Sequence, residues 1–480
     1  MNIPHLRYLP VVMATLGLTA CVTVGPDYKP AATDLSAGWS RLDQAAQPVA
    51  IATETGDLSQ WWQRLNDPLL TGLVEEALQT SLDLRSAQAR LREARARRSV
   101  ATADRFPSVT ASGSASRSRS SEDTGSGNTN NLFSVGFDAS WELDLFGGIR
   151  RSVEAATADL ESSAASLQET RVSLAAEVAL NYVEVRSLQT RLGIASANLA
   201  SQTETLQLTD WRAQAGLVNS QDVEQARSLR EQTRAQIPSL EISLAEAEHR
   251  LDILLGKVPG TLHQRLAVAG SLPVVPDRVA VGIPADTLRQ RPDVRKAERT
   301  LAAETARVGV AEAARYPTFT LSGSIGLEAL TVGALGNSGS AASSLFAGIT
   351  APVFNAGKLR NQVEIQDAVR EQAQVAYEQT VLSALQDVEN GLVALARTRE
   401  RGEALASAAE SARNASQLAR QRYGAGLIDF QSVLDTERSV LTIEDSLAST
   451  RADGVLALIR LYKALGGGWS PQAEAGKETP

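Results

Sequence analysis

The apolar residues of this chain follow two different periods, and the shorter period marks candidate strands. Between positions 133 and 143 the even residues are polar, small or charged, and the odd ones are Phe133, Val135, Phe137, Ala139, Trp141 and Leu143. Alternation over about ten residues is typical of a tilted strand that crosses a membrane. A weaker strand near Ser108–Ser116 and the Ser/Gly/Asn-rich loop Ser112–Asn131 complete a predicted hairpin over residues 107–143. The alternative is the edge of a soluble β-sandwich.

The longer period predicts helices on both sides of that hairpin. One apolar face runs from about Asp67 to Arg105. A longer helix is predicted over residues 149–214, because Val and Leu recur there every seven residues in two series offset by four, the spacing of a coiled-coil seam. A return helix at 220–255 follows. At 1.5 Å per residue the long helix is about 100 Å long, and the two shorter helices end to end would match it.

The whole pattern occurs twice, 210 positions apart and without a gap, as in Asp83 and Asp293. Other matched segments are Arg105-Phe106-Pro107 with Arg315-Tyr316-Pro317, Ala215-Gly216-Leu217-Val218 with Ala425-Gly426-Leu427-Ile428, and Leu255-Gly256 with Leu465-Gly466. We therefore divide the chain into repeat 1 (67–260), a linker (261–285), repeat 2 (286–468) and a disordered tail (469–480). Repeat 2 is predicted to hold a hairpin at 317–353, a long helix at 358–424 and a return helix at 430–465. The fold class is α+β.

The N-terminus resembles that of an exported lipoprotein. Residues 1–20 contain Arg7 and a short apolar stretch, Val11–Ala20, which is too short to span a bilayer. The segment Leu18-Thr19-Ala20-Cys21 resembles the bacterial lipoprotein signal, so Cys21 is expected to carry a diacylglycerol and an N-acyl chain. Residues 21–66 would then be a lipid-anchored segment, and Val22 after the cysteine favours the outer membrane. A signal peptide that ends near a cysteine by chance is the alternative.

Composition narrows the class of protein. Hydrophobic residues make up 43% of the chain but aromatic residues only 4%, which suits long helices packed through small side chains. The net charge is −8 with the basic residues scattered, so the chain has no electrostatic footprint for nucleic acid.

The number of strands limits how they can close in a membrane. Open strand edges are not tolerated in lipid, so transmembrane strands close into a barrel. Two repeats supply four strands, whereas known barrels begin at about eight. Two chains would give eight strands and three would give twelve, and the residues alone do not decide between a dimer and a trimer.

Motifs along the whole mature chain resemble the outer-membrane channel-tunnel proteins of the TolC superfamily, in its OprM- and NodT-like lipoprotein branch. The matching segments are Val24-Gly25-Pro26-Asp27-Tyr28-Lys29-Pro30, Trp61-Trp62, Asp67-Pro68-Leu69, Trp141-Glu142-Leu143-Asp144-Leu145-Phe146-Gly147, Arg291-Pro292-Asp293-Val294, Ala297-Glu298, Val433-Leu434-Asp435 and Tyr462-Lys463-Ala464-Leu465-Gly466-Gly467-Gly468-Trp469. The resemblance implies a homotrimer whose twelve-stranded outer-membrane β-barrel continues into a periplasmic α-helical barrel. It also implies a tripartite efflux pump with an inner-membrane transporter of the RND type and a periplasmic adaptor.

The two helix–turn–helix tips are the candidate adaptor contacts that this resemblance implies. Gly216 and Gly426 fit the left-handed position that ends a helix, and Ser220 or Asp429 could cap the helix that follows. The expected docking residues are Gly216, Leu217, Val218, Asn219, Ser220, Gly426, Leu427 and Ile428. Ordinary helix ends are the alternative reading of the same residues.

The family also closes its periplasmic end at these tips, which implies a gate at Arg422, Tyr423, Asp429 and Asp435. Gly424 and Gln431 stand where relatives often carry a basic and an apolar residue, which argues against the same ionic latch. A ring of Asp435 side chains would favour cationic solutes through its negative potential. The alternative is that these are solvated charges at helix ends.

The sequence contains no constellation that predicts an enzyme, a metal site or a bound cofactor. His249 and His263 stand apart, and Gly466-Gly467-Gly468 lacks the lysine of a phosphate loop. Two rival functions remain beside the efflux duct. One is a duct for type I protein secretion, and the other is a lipid-anchored structural stalk that conducts nothing.

Overall fold

The computed structural model describes residues 23–30, 38–40, 50–52, 57–276, 278–282 and 284–469. The predicted signal peptide, the lipidation site Cys21 and the tail from residue 470 lie outside these residues. Trp469, which the sequence placed at the start of the disordered tail, is described and buried, and its indole donates to the carbonyl of Gln290 at 3.0 Å. Trp469 therefore belongs to the packed part of the chain.

Long helices dominate the described residues. The helices are α1 (Pro68–Thr80), α2 (Leu82–Ala103), α3 (Gly148–Gln214), α4 (Ser220–Leu254), α5 (His263–Leu266), α6 (Pro284–Gln290), α7 (Pro292–Ala313), α8 (Lys358–Gly424) and α9 (Phe430–Ala464). The strands are β1 (Ala50–Ala52), β2 (Ser108–Arg119), β3 (Thr129–Leu143), β4 (Arg278–Ala280), β5 (Thr318–Ala329) and β6 (Ala341–Thr350). No helix of the described part combines the length and the apolar character needed to cross a membrane.

Several helices and strands of the two repeats also match in length and start 210 positions apart. Helices α3 and α8 both have 67 residues, starting at 148 and 358, and α4 and α9 both have 35, starting at 220 and 430. Helices α2 and α7 have 22 residues each and strands β2 and β5 have 12 each. The lengths of these elements have stayed equal although most of their residues have diverged.

The chain divides into two compact units that cut across the two repeats. A sheet unit comprises residues 1–32, 89–164 and 295–379, and a helical unit comprises residues 33–88, 165–294 and 380–480. Each unit takes segments from repeat 1 and from repeat 2. The two repeats are therefore intertwined rather than folded as separate domains.

The sheet unit contains a four-stranded antiparallel sheet in the order β2-β3-β5-β6. Its register pairs Val135 with Leu327 and Phe137 with Ile325, while Ser140 faces Ser322. Successive side chains of a strand point to opposite faces, so the odd residues make a mainly apolar face and the even residues a mainly polar one, with Arg117, Arg119, Leu132 and Phe346 as exceptions. Ser114 and Ser134 share a 2.8 Å hydrogen bond on the polar face. The alternation predicted from the sequence is confirmed.

Two boundaries predicted from the sequence were wrong. Most of the segment Ser112–Asn131 is paired strand, because its serines alternate with Ala and Gly that fit the apolar face, and the loop spans only residues 120–128. The helix expected from Asp67 to Arg105 is interrupted at Ser81, which adopts an extended backbone (ψ 134°). Next to this break, the Thr80 hydroxyl donates to the carbonyl of Leu255 at 2.7 Å.

The helical unit packs around an aromatic centre. Trp61 is fully buried, with its ring centroid 5.9 Å from that of Trp62 and 5.5 Å from that of Tyr462. Residues that recur at the seven-residue step in the two long helices are buried in this unit, among them Leu174, Val178, Val185, Val381, Val388 and Leu395. Strand β4, inside the stretch predicted as a linker, pairs in parallel with β1.

One buried cation connects three elements of the helical unit. Arg291 donates to the carbonyl of Ala464 at the end of α9 (3.0 Å) and to the carboxylates of Asp293 (2.6 Å) and Asp387 (3.1 Å). Its side chain is only 10% exposed. The planar guanidinium reaches these acceptors through separate nitrogens in a fixed fork, whereas a lysine offers a single nitrogen.

We expect Arg291→Ala to lower the free energy of unfolding by about 2 kcal/mol, because a buried carbonyl loses its donor and two carboxylates lose their charge partner. Arg291→Lys keeps the positive charge but not the forked arrangement of donors, so its decrease in the free energy of unfolding should be smaller. The melting temperature followed by circular dichroism measures both. An unchanged melting temperature for Arg291→Ala would contradict this account.

Candidate functional site: the paired helix–turn–helix tips

The two tips have the same backbone, built around a glycine. Gly216 and Gly426 have φ of +72° and +74°, a left-handed conformation that costs other residues roughly 1–2 kcal/mol. The amide of Leu217 donates to the carbonyl of Arg212, and the amide of Leu427 to that of Arg422, both at 2.9 Å. These bonds between the residue after the glycine and the last helical turn define a Schellman motif. The predicted left-handed glycines are confirmed.

The helices that leave the tips begin with a capping side chain. Asn219 accepts from the amide of Asp222, and Asp429 accepts from the amide of Ser432, each at 3.0 Å. The expectation that Ser220 could cap its helix was wrong, because Asn219 occupies that position and Ser220 is the first helical residue. Asp429 caps as predicted. Hydrogen bonds from Ser432 lower the pKa of the Asp429 carboxyl.

Both tips pack into one small hydrophobic core, which we call the tip cluster. Its buried members are Leu206, Val223, Ala226, Leu229, Ala419, Tyr423, Phe430, Val433 and Leu434. Val218 and Ile428, two of the expected docking residues, are half-buried and pack partly against it. Leu217 and Leu427 point the other way and are 67% and 73% exposed. Alternate residues of each turn thus hold the tips together and present an apolar side chain to solvent.

The proposed gate residues lie close together in the chain but in different surroundings. Arg422, Asp429 and Asp435 are exposed, and Asp435 accepts from the side chain of Gln431 at 2.9 Å. Tyr423 is only 3% exposed. Its ring lies 5.3 Å from that of Phe430 inside the tip cluster. The structure therefore gives Tyr423 a packing role within this chain.

Arg212 is a tip residue that the sequence analysis missed. Its guanidinium lies 4.4 Å from the centroid of the Tyr423 ring and also donates to the Tyr423 carbonyl. It occupies the same position in repeat 1 as Arg422 in repeat 2, but only repeat 2 has a tyrosine next to it. A comparison of the two repeats residue by residue could have singled out this pair.

A buried carboxylate that the sequence analysis did not identify connects the two repeats near the tip cluster. Glu437 of α9 is 4% exposed and accepts from the hydroxyl of Thr205 of α3 at 2.6 Å. Burial raises the pKa of the Glu437 carboxyl above the usual 4.5, while Thr205 and the charge of Arg420 partly oppose the shift. Arg420 itself donates to Ser201.

No group of three or more His, Cys, Asp or Glu side chains in the described ranges is placed to hold a metal ion. His263 instead contacts Glu248 at 2.8 Å, which raises the pKa of the imidazole.

The residues exposed at the tips are the apolar Leu217 and Leu427 and a few charged side chains, all on rigid turns. Such a surface suits contact with another protein.

A comparison with protein families identifies the chain. The model of the family described as "Outer membrane efflux protein" matches residues 73–257 and again residues 283–467, two segments that start 210 positions apart. The chain belongs to this family. Outer membrane efflux proteins are channels, and the predicted α+β channel-tunnel fold and outer-membrane location are confirmed by the relatives described next.

Three relatives cover almost the whole chain of this outer membrane efflux protein. Nodulation protein T of Rhizobium leguminosarum bv. trifolii is 35% identical over 96% of this chain and 97% of its own length. The solvent efflux pump outer membrane protein SrpC of Pseudomonas putida is 32% identical over 96% of this chain and 98% of its own. The solved structure of the outer-membrane channel OprN matches with a TM-score of 0.88 and 37% identity, covering 93% of this chain and all of that one.

We expect Arg212→Ala to loosen the tips of this efflux protein, because the cation–π contact with Tyr423 contributes about 1 kcal/mol. Hydrogen exchange of the amides near residues 205–235 and 415–440 should become faster. Arg422→Ala removes the same residue type at the same repeat position but no aromatic contact, so it is the matched control. Equal effects of the two substitutions would contradict the assigned role of Arg212.

We expect the stability of the tips to fall as the pH rises through the mildly acidic range, because the raised pKa of Glu437 means that the folded state holds a proton that the unfolded state has released. Glu437→Gln keeps the acceptor for Thr205 without the charge. The variant should melt at a higher temperature than the parent at pH 7.5, and the difference should shrink towards pH 4.5. Asp435→Asn, an exposed carboxylate on the same helix, is the control. A constant difference between Glu437→Gln and the parent across this range would refute the assignment.

Proposed function

We propose that this chain forms the homotrimeric exit duct of a tripartite efflux pump of the RND type. It would conduct small organic molecules such as drugs passively from an inner-membrane transporter and a periplasmic adaptor to the cell exterior. The observation that carries the proposal is the four-stranded sheet with one apolar and one polar face, whose outer strands β2 and β6 have no partner on their far sides among the described residues.

Closure by other copies follows from the chemistry of the backbone. An edge strand presents a row of unpaired N–H and C=O groups, which cost several kcal/mol each in hydrocarbon. Three copies close a ring of twelve strands that is wide enough to conduct, whereas eight strands enclose a lumen that side chains fill. The polar face, with Asp138, Glu142 and Glu328 on its even positions, would line the lumen.

The tips would meet the adaptor through Leu217 and Leu427. Exposed leucines on a rigid turn can enter apolar pockets of a partner with little loss of conformational entropy. Gly216, Asn219, Ser220 and Gly426 would fix the geometry of the turns, while Val218 and Ile428 would act indirectly by packing against the tip cluster.

The same tips would form the periplasmic gate. Arg422, Asp429 and Asp435 are exposed and would face neighbouring copies, and Tyr423 would set their position from inside the tip cluster. The hydroxyl of Tyr423 is buried and has no hydrogen-bond partner in the described part of the chain. An opening movement that offered this hydroxyl a partner would be favoured by that bond.

Lipidation of Cys21 would hold each copy on the outer membrane. Thr23 packs against Gly147, four residues after the end of β3. Two residues of chain span at most about 7 Å, so acyl chains on Cys21 would enter the bilayer close to the periplasmic end of the sheet.

We expect the double variant Leu217→Asn, Leu427→Asn to abolish efflux without closing the channel, because the exposed leucines are lost while the tip cluster is kept. Cells carrying the variant should accumulate ethidium as deletion cells do. The purified variant should still conduct in planar bilayers. Leu217→Met, Leu427→Met retains apolar side chains of similar size and should restore efflux.

Two results would contradict the proposal. A purified parent protein that is monomeric in detergent and leaves planar bilayers silent would refute the duct. Normal ethidium efflux in the asparagine variant would refute docking through the tips and leave the duct in place.

A further inference from the structure

The sheet contains two kinds of strand contact, and only one of them joins the two repeats. Within each hairpin the register is the same: Ser108 pairs with Ser140 in repeat 1, and Thr318 pairs with Thr350 in repeat 2, each residue shifted by 210. The contact between β3 and β5 instead joins the end of one hairpin to the start of the next. We call this β3–β5 contact the internal seam.

The outer edges of the sheet are the repeat counterparts of the two strands that meet at the internal seam, with Phe346 and Ser116 at the positions of Gly136 and Gly326. Strand β6 occupies the place in repeat 2 that β3 has in repeat 1, and β2 occupies the place in repeat 1 that β5 has in repeat 2. A β6 edge placed against the β2 edge of another copy therefore repeats the internal seam. Leu345 and Ile349 of β6 are 80% and 69% exposed, and every residue of β2 is exposed.

We propose that β6 of one copy pairs with β2 of the next in the register of the internal seam, so that Ala347 lies opposite Ala115 of the partner subunit. The inference rests on the closed ring proposed above and adds the residue-level register of its joints. In the internal seam Phe137 faces Ile325, and a shift of 210 turns these positions into Ala347 and Ala115. By the same rule Ile349 lies opposite the partner subunit's Gly113, and Thr350 opposite the partner subunit's Ser112.

The side-chain pattern supports this register independently. Most large apolar residues of β6 and β2 are at odd positions, for example Leu345, Ile349 and Val109, and Phe346 of β6 is the exception. An odd shift in the pairing would place apolar residues of one strand beside polar residues of the other. The proposed register keeps the faces in phase, and so would slips of two residues in either direction.

The connections between strands and helices argue against those even slips. Four residues separate α2 from β2, and four separate α7 from β5. A slip of two residues moves a strand by about 7 Å along its neighbour, and such short connections would transmit that movement to the helices. Only the register of the internal seam lets both repeats keep equal connections at every joint.

Paired cysteines test the register. The chain has one native cysteine, Cys21, and facing residues of paired strands lie within the Cα separation of about 4.4–6.8 Å that a disulfide needs. We expect oxidised Ala347→Cys, Ala115→Cys protein to run on a non-reducing gel at three times the mass of one chain and to return to one chain on reduction. Phe137→Cys, Ile325→Cys, the same joint inside one chain, should form its disulfide without any increase in mass.

Off-register pairs separate failure of the register from failure of the ring. Ala347→Cys combined with Gly113→Cys or with Arg117→Cys tests slips of two residues, whose diagonal Cα distance of about 7–8 Å disfavours a disulfide. If either pair gives the trimer band and the Ala115 pair does not, the proposed register is wrong and the ring stands. If the protein is trimeric in detergent and no pair cross-links, the register is again overturned. A monomer in detergent would overturn the proposed duct itself.

Discussion

The hydrogen bonds of backbone groups at a strand edge constrain this molecule more than any other interaction. Four strands make three joints within one chain, and a sheet with two bare edges cannot rest in hydrocarbon. Strands β2 and β6 lack far-side partners in the described residues, and in the proposed duct neighbouring copies would supply them. Such closure would explain why the lengths of the matched elements have stayed equal across 210 positions, since unequal repeats would give joints that do not fit.

The tips meet a different constraint, because each must be rigid and also expose side chains that a partner could bind. The tip cluster provides the firmness by packing both turns around Tyr423 and Phe430. The Schellman geometry then directs Leu217 and Leu427 away from that core. A single turn motif, used twice, separates the residues that stabilise the tip from those that could bind a partner.

The sequence predicted the architecture well wherever periodicity was strong and local. The heptads located α3 and α8, and the alternation in Phe133–Leu143 located the sheet and its two faces. Prediction from the sequence failed where contacts between distant residues decide the local structure. Ser81 interrupts a continuous helical pattern beside a bond from Thr80 to Leu255, and β1 with β4 were missed because three-residue strands have no periodicity to detect. At the site, the glycines and the Asp429 cap were predictable from turn chemistry, whereas the Arg212–Tyr423 and Thr205–Glu437 contacts join residues more than 200 positions apart.

The different fates of Arg212 and Arg422 bear on symmetry. The two residues descend from the same ancestral position, yet one is stacked against a tyrosine and the other is exposed. In a ring of three such chains, the six repeats would have elements of nearly equal length, so the backbone would be close to sixfold symmetric. The side chains at the tips differ between the two repeats, so there the symmetry would be only threefold. A protein that binds the tips would therefore find two different binding surfaces on each chain, and could bind them in two different ways.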